Sequence, residues 1–236
     1  MSEELLYAGK AKSVYTTDAP DEFIVVFRDD ITAFDGGKKD VLDQKGEYNA
    51  RVSARLFELL EEAGVPTHFL RLEGPSRMRV RRLGMVPLEV IVRNRAAGSL
   101  VRNYPFERGQ PLDPPLIVID YKDDARHDPM LNDEIILALG LLDCAELDET
   151  KALALRVNGV LRAIFDACGL DLVDFKIEVG RDREGRLRLG DEVSMDSMRL
   201  WSQETGESLD KDVYRLGTGD VLGAYARVAA GLGLEM

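Results

Sequence analysis

The sequence predicts an α+β fold, in which strands come in groups and helices pack behind them instead of alternating one for one. Three observations predict it. A strand-like meander opens the chain, two segments carry apolar residues at helical spacing, and an alternating run near residue 175 is followed by a hairpin turn and a second strand.

Residues 5–7 and 13–16 are strand-like, broken by Gly9 and interleaved with Lys10 and Lys12, and 22–28 (EFIVVFR) is β-rich after a turn at 18–20. Together they read as an antiparallel meander. Between 47 and 63, Val52, Leu56, Leu59, Leu60 and Ala63 keep helical spacing, and Gly64 with Pro66 supplies a stop. Short strands follow at 68–72 and 77–83, then a longer one at 86–93 (VPLEVIVR). The change of texture near Gly84 divides the chain into a small β-rich lobe, 1–83, and a larger α+β lobe, 84–236.

In the second lobe 116–120 (LIVID) is a strand, 131–139 a short helix, and 149–168 a long one. Along the last, Leu153, Val157, Val160, Leu161, Ile164, Phe165 and Cys168 share a face, and Gly169 stands where a C′ glycine belongs. Residues 170–179 and 186–191 form a hairpin around 182–185, and 221–232 closes the chain as a helix. There is no internal repeat or low-complexity tract.

A chain of 236 residues buries roughly 70–75% of its extended surface and needs no metal or disulfide staple. Cys144 and Cys168 are too few and too far apart for a metal knuckle and read as reduced core residues. With 43 acidic against 31 basic residues and a net charge of −12, general affinity for nucleic acid or an anionic membrane is not expected. No opening signal segment and no run of the roughly 18 apolar residues that a membrane helix needs is present, so a soluble, cytoplasmic protein is expected.

The run 172–179 (LVDFKIEV) sends Val173, Phe175, Ile177 and Val179 to one face and Asp174, Lys176 and Glu178 to the other. A solvated salt-bridge ladder is one reading of the charged face. The other comes from the partner strand, RLRLGDE, which would bring Asp191 or Glu192 beside Glu178. Two adjacent carboxylates repel unless a proton or cation joins them, and hard oxygens of this kind suit Mg²⁺ together with phosphate. Lys10 and Lys12, two apart on an expected strand, would share a face and call for an anion. GxxxxGK[ST] is absent, and Gly217-Thr218-Gly219 fails the GxGxxG spacing. Arg93, small residues to Gly98, and Ser99 end the 86–93 strand; this is either an arginine-rich surface turn or a fork for phosphate or carboxylate. His68 and His127 stand alone, and neither is assigned to a metal.

GKAKSVY near the start, FRDDITAFDG at 27–36, VPLEVIVRNRAAGS at 86–99, HDPM at 127–130, LVDFKIE at 172–178 and GDE at 190–192 occur in one order over nearly the whole chain. In these motifs the sequence resembles the SAICAR synthetase family. The resemblance implies two lobes related to protein kinases and ATP-grasp enzymes, with ATP in the cleft between them. It also implies ligation of carboxyaminoimidazole ribonucleotide (CAIR) to L-aspartate using ATP and Mg²⁺, and a homodimer.

Carried over residue by residue, Lys10, Lys12 and Lys122 contact the nucleotide, and the segment from Met85 to Glu89 lies against adenine. Glu178 and Asp191 hold Mg²⁺. Arg93, Ser99, Lys176 and Arg199 bind the ribonucleotide, and Lys176, Asp174 and Asp35 are the catalytic candidates. Val179 and Val193 replace the family's usual Phe, and 194–199 lacks its usual Pro and Gly. A carboxylate is a poor electrophile, so activation by phosphoryl transfer to an acyl phosphate is the expected course. A kinase-like phosphotransferase acting on a hydroxyl is the alternative, although HRD…N and DFG elements are absent. A non-catalytic nucleotide-binding module is the third reading.

Overall fold

The computed structural model describes residues 3–34 and 36–236. Asp35, a catalytic candidate, therefore lies outside the described residues.

The chain opens with β1 (Leu5–Ala8), β2 (Lys12–Thr16) and β3 (Glu22–Phe27), then a hairpin of β4 (Asp30–Ala33) and β5 (Lys38–Val41). Helix α1 (Lys45–Glu62) follows, with β6 (Phe69–Gly74) and β7 (Arg77–Arg81) after it. The strands outside the small hairpin form a five-stranded antiparallel sheet in the order β1-β2-β3-β7-β6. Helix α1 lays Val52, Leu56, Phe57 and Leu60, all fully buried, against this sheet. Its first turn is held close to the end of β3. A Cβ on Gly46 would sit 2.5 Å from the Phe27 carbonyl oxygen, and the Gly46 amide donates to Asp29 Oδ1 at 2.8 Å, satisfying one of the helix's orphan donors.

The second sheet is built from β8 (Gly84–Met85), β9 (Leu88–Arg95), β10 (Pro111–Tyr121), β11 (Met130–Leu131), β12 (Leu170–Arg181), β13 (Leu187–Gly190) and β14 (Met198–Ser202). Its path is β11-β10-β9-β12-β13, and β8 and β14 also pair with β12. Helices α2 (Ser99–Asn103), α3 (Asp133–Ala138), α4 (Cys144–Ala167), α5 (Asp212–Leu216) and α6 (Val221–Gly231) complete the chain. One continuous apolar core runs from Val25 and Phe27 of the first sheet, through Leu56 and Leu60, to Val90, Phe175 and Leu161. The two sheets therefore share an interior.

Helix α4 starts five residues earlier than its apolar period suggests, because Asp143 and Glu146 form a reciprocal capping box. Cys144 is exposed there and Cys168 is half-buried at the far end, so neither is the core residue expected. Lys10 also departs from expectation: it lies in the turn before β2, not on a strand face shared with Lys12. Val173 leaves the face assigned to it. The pairing of β12 with β14 shifts between Leu172 and Asp174, and this bulge resets the alternation. Leu170 and Leu172 face the main core before the bulge and Phe175, Ile177 and Val179 after it, while Val173 packs with Ala97 and Trp201.

Candidate active site

The floor of the site is the polar side of β9 and β12. On β9, Leu88, Val90 and Val92 are fully buried, which turns Glu89, Ile91 and Arg93 to the opposite face. On β12, Asp174 lies across from Arg93 and Lys176 across from Ile91, while Glu178 lies across from Gly190 of β13. Asp120 of β10 is opposite Glu89, and Arg199 of β14 is opposite Asp174. The charged row on β12 is not a solvated ladder: Asp174 and Glu178 are each 3% exposed.

Acids and lysines from five separate segments interlock at one end. Asp191 follows β13 with φ of 58°, a left-handed conformation that Asp tolerates better than most residues, and its carboxylate pairs with Lys12. Lys12 also lies 2.9 Å from Glu192. Lys122 donates to both oxygens of Glu178. Lys176 reaches Glu89 at 2.6 Å and Glu178 at 3.2 Å. Burial, followed by the charge of Asp191, pushes the Glu178 carboxyl above its ordinary range despite both lysines. Burial opposes ionisation of Asp191 too, but Lys12, Lys176 and Lys122 hold its carboxyl well below the usual carboxylate range. Lys12 and Lys176 titrate above their ordinary value, because the attraction of the surrounding acids outweighs the cost of their burial. The neighbours thus favour the charged forms of Lys12, Lys176 and Asp191 over their state in water, and Glu178 is the member whose charge the site opposes.

Glu178 on β12 and Asp191 just past the end of β13 present hard carboxylate oxygens side by side, a donor set that fits Mg²⁺. Among the described residues no group of three or more His, Cys, Asp or Glu side chains is gathered tightly enough to hold an ion. An ion here would therefore take Glu178 and Asp191 and complete its shell from water and phosphate oxygens.

Three cavities run end to end across this floor. The first, about 300 Å³, is largely apolar, with Leu6, Val14, Val25, Val80, Leu83 and Met85 in its walls and Lys12, Lys122, Glu178 and Asp191 at one side. His68 also lines it; burial lowers its imidazole to about 4, so it is neutral. The second, about 230 Å³, is polar and shares those four charged residues, adding Lys10, Glu89, Lys176 and Lys211. The third, about 290 Å³, has five cationic side chains against three carboxylates and shares Glu89, Lys176, Asp196, Ser197 and Lys211 with the second.

In the third cavity Asp174 holds two guanidinium groups. Arg93 donates to it at 2.9 Å and to Ser99 Oγ at 3.0 Å, and its Nε is buried without a hydrogen-bond partner. Arg199 donates through one nitrogen to both Asp174 oxygens, at 3.1 and 2.9 Å, and through Nε to Asp212 at 2.7 Å. Gly98 makes room for it: φ is +57° there, and a Cβ would meet the Arg199 guanidinium at 2.7–3.0 Å.

Lys10, Lys12, Lys122, Lys176, Glu178 and Asp191 thus come together around the second cavity, and Arg93, Ser99, Asp174 and Arg199 around the third. Met85 lines the apolar cavity, whereas Glu89 does not: strand alternation turns it toward Lys176 and the polar cavities. Sequence reasoning missed Asp196, Ser197, Lys211 and Arg215. They lie in segments without apolar periodicity; the loop is brought inward by Val193 and Met195 in the core and by the buried contacts of Asp196 with Lys45 of α1 and Tyr225 of α6. It also missed Asp120, whose carboxyl burial and Glu89 push up to about 6.

A proton bound more tightly in the folded than in the unfolded state makes stability fall as pH rises. For Asp120 the window lies between its ordinary 3.8 and about 6. Asp120→Asn should accordingly raise stability at pH 7.5, by about 1 kcal/mol once solvent screening is discounted, and change little at pH 4. Urea unfolding at both values measures this; an equal effect at the two would refute it.

An apolar slot opening onto a lysine-lined cavity and then onto an arginine pocket, beneath a β-rich lobe, defines a class: enzymes that bring a nucleotide's phosphates against an anionic acceptor. Comparison with known proteins makes the class specific. The chain matches the SAICAR synthetase family over residues 5–232. A phosphoribosylaminoimidazole-succinocarboxamide synthase from Methanoregula boonei is 64% identical over 97% of this chain and 89% of its own. One from Methanoculleus marisnigri is 63% identical over 96% and 93%. A solved SAICAR synthetase in complex with ADP is 42% identical, with a TM-score of 0.95 and 99% of each chain covered. Another, from Ehrlichia chaffeensis, is 38% identical with a TM-score of 0.96, over 99% of this chain and 100% of its own. The chain belongs to the SAICAR synthetase family, ATP-dependent ligases of purine biosynthesis.

Proposed function

We propose that ATP lies along the first two cavities and CAIR in the third, and that the chain couples CAIR to L-aspartate where the second and third cavities meet. The observation that carries this reading is their common wall of Glu89, Lys176, Asp196, Ser197 and Lys211. A γ-phosphate entering from one side and a carboxylate from the other would come together beside Lys176. Adenine would occupy the apolar cavity against Met85, and Lys10, Lys12 and Lys122 would take the phosphates. Arg93 and Arg199 would bind the ribonucleotide's phosphate, held in place by Asp174 and Ser99. The engagement of both Asp174 oxygens supports positioning for that residue rather than proton transfer.

A carboxylate oxygen of CAIR attacks the γ-phosphorus, the bond to the β–γ bridging oxygen breaks, and ADP leaves. The aspartate nitrogen then attacks the acyl carbon, the bond to the phosphorylated oxygen breaks, and phosphate leaves as the nitrogen gives up a proton. Little covalent chemistry is asked of the protein; its lysines balance charge on the phosphoryl oxygens. Mg²⁺ held by Glu178 and Asp191 would add positive charge at the phosphates. The lobe boundary near Gly84 belongs to the same proposal: it is supported by the change of sheet between β7 and β8, with Lys10 and Lys12 arriving from the first lobe. A cytoplasmic homodimer is proposed on the family likeness. No helix among the described residues is long and apolar enough to cross a membrane.

Incubation with ATP and Mg²⁺, adding CAIR and L-aspartate singly and then together, tests the reaction. ADP should accumulate at turnover rate only when both are present. Sustained ADP release with an alcohol acceptor, or with CAIR alone, would overturn it.

A further inference from the structure

We infer that Lys211 and Arg215 form the subsite for the two carboxylates of the amino-acid substrate, an assignment that rests on the ligase reading above. The two residues are four apart across the start of α5, and a spacing of four puts both side chains on one face. Both line the third cavity, and Lys211 also lines the second, at the junction where the activated carboxylate would form. Their like charges oppose each other in the absence of an anion: burial first, then Arg215 and Lys45, work to lower the Lys211 ammonium.

Lys211 is the underpaired cation of this junction. Its side chain is 13% exposed, and its ion pair with Asp196 spans 3.7 Å, beyond hydrogen-bond reach. Asp196 is already engaged by Lys45 at 2.7 Å and by the Tyr225 hydroxyl, which donates at 2.6 Å. Arg215 shares Asp212 with Arg199.

The chemistry of the substrates leaves this pair one task. Lys10, Lys12 and Lys122 surround the space for the phosphates, and Arg93 with Arg199 grips the far end of the third cavity. The amino acid must arrive beside Lys176 with its nitrogen toward the activated carbon and its carboxylates held away from the phosphoryl oxygens, which would otherwise repel them. A buried ammonium at the junction, with a guanidinium fork one helical turn further on, meets both needs.

Steady-state kinetics with each substrate varied in turn tests the assignment. Lys211→Met and Arg215→Gln should each raise KM for L-aspartate by about tenfold or more, leaving KM for ATP and CAIR within about twofold. Lys211→Arg should restore much of the loss, and discrimination against L-asparagine should narrow in Lys211→Met. Calorimetric titration of L-aspartate into the ADP-loaded enzyme reads the same subsite without turnover, and the heat seen with the wild type should vanish in Lys211→Met. If that variant does not fold, Lys211→Arg and Arg215→Gln carry the test. An unchanged KM for aspartate, or a KM for CAIR that rises in step with it, would overturn the inference. A wild-type chain without ligase activity would instead refute the reading on which it rests.

Discussion

Glu178→Gln should lower turnover by about a hundredfold or more, the scale on which removal of one preorganised electrostatic group acts, while the fold stays intact. The side chain keeps its shape and loses its charge. That charge is costly in the free protein, since burial and Asp191 push the carboxyl up, so the variant should melt at the same temperature as the parent or higher. Loss of activity without loss of stability would mark Glu178 as a functional group, as expected where a site holds like charges together for a ligand's sake. Lys122 and Lys176 would each lose a partner, and nucleotide affinity should change along with turnover. Parental turnover across a magnesium titration would refute the role given to Glu178.

Gly98→Ala should act through geometry rather than charge. The new methyl group would press on the Arg199 guanidinium, at 2.7 Å from its nearest nitrogen, and the backbone there has φ of +57°, outside the range an L-residue prefers. Arg199 is flexible enough to yield, and yielding takes it from Asp174 and Asp212. KM for CAIR should rise about tenfold, and stability should drop by about 1–3 kcal/mol from backbone strain. Replacing Arg199 by Lys in the same background separates the two effects. If KM rises by the same factor with the shorter contact, the methyl group acts elsewhere.

Much of this site was legible in the sequence because strand alternation is a local signal. The pattern in 172–179 was enough to put Asp174, Lys176 and Glu178 on one side of a sheet, and the turn at 182–185 was enough to bring Asp191 or Glu192 back toward Glu178, whereas Arg93 stayed open between a surface turn and an anion fork. What stayed hidden depends on long-range packing. Nothing near Lys211 announces that Asp196 will be drawn inward by a lysine from α1 and a tyrosine from α6. Glu89 was assigned with its neighbour Met85, yet they sit on opposite sides of a strand's beginning and serve different cavities. The β4–β5 hairpin was also missed, since its outer strand is short and polar.

The extra residue accommodated between Leu172 and Asp174 lets a strand with two apolar phases keep both halves on the same core. Deleting Val173 would leave the net charge and the DFKIE run unchanged, and plain alternation would still hold Leu170 and Leu172 on the side of Phe175, Ile177 and Val179. Such a shortening should instead cost the packing of Val173 against Ala97 and Trp201 and the local twist that a bulge supplies. A one-residue insertion farther along, between Phe175 and Ile177, would be the harsher change, since no second bulge is there to absorb it and isoleucine and valine would roll toward the nucleotide.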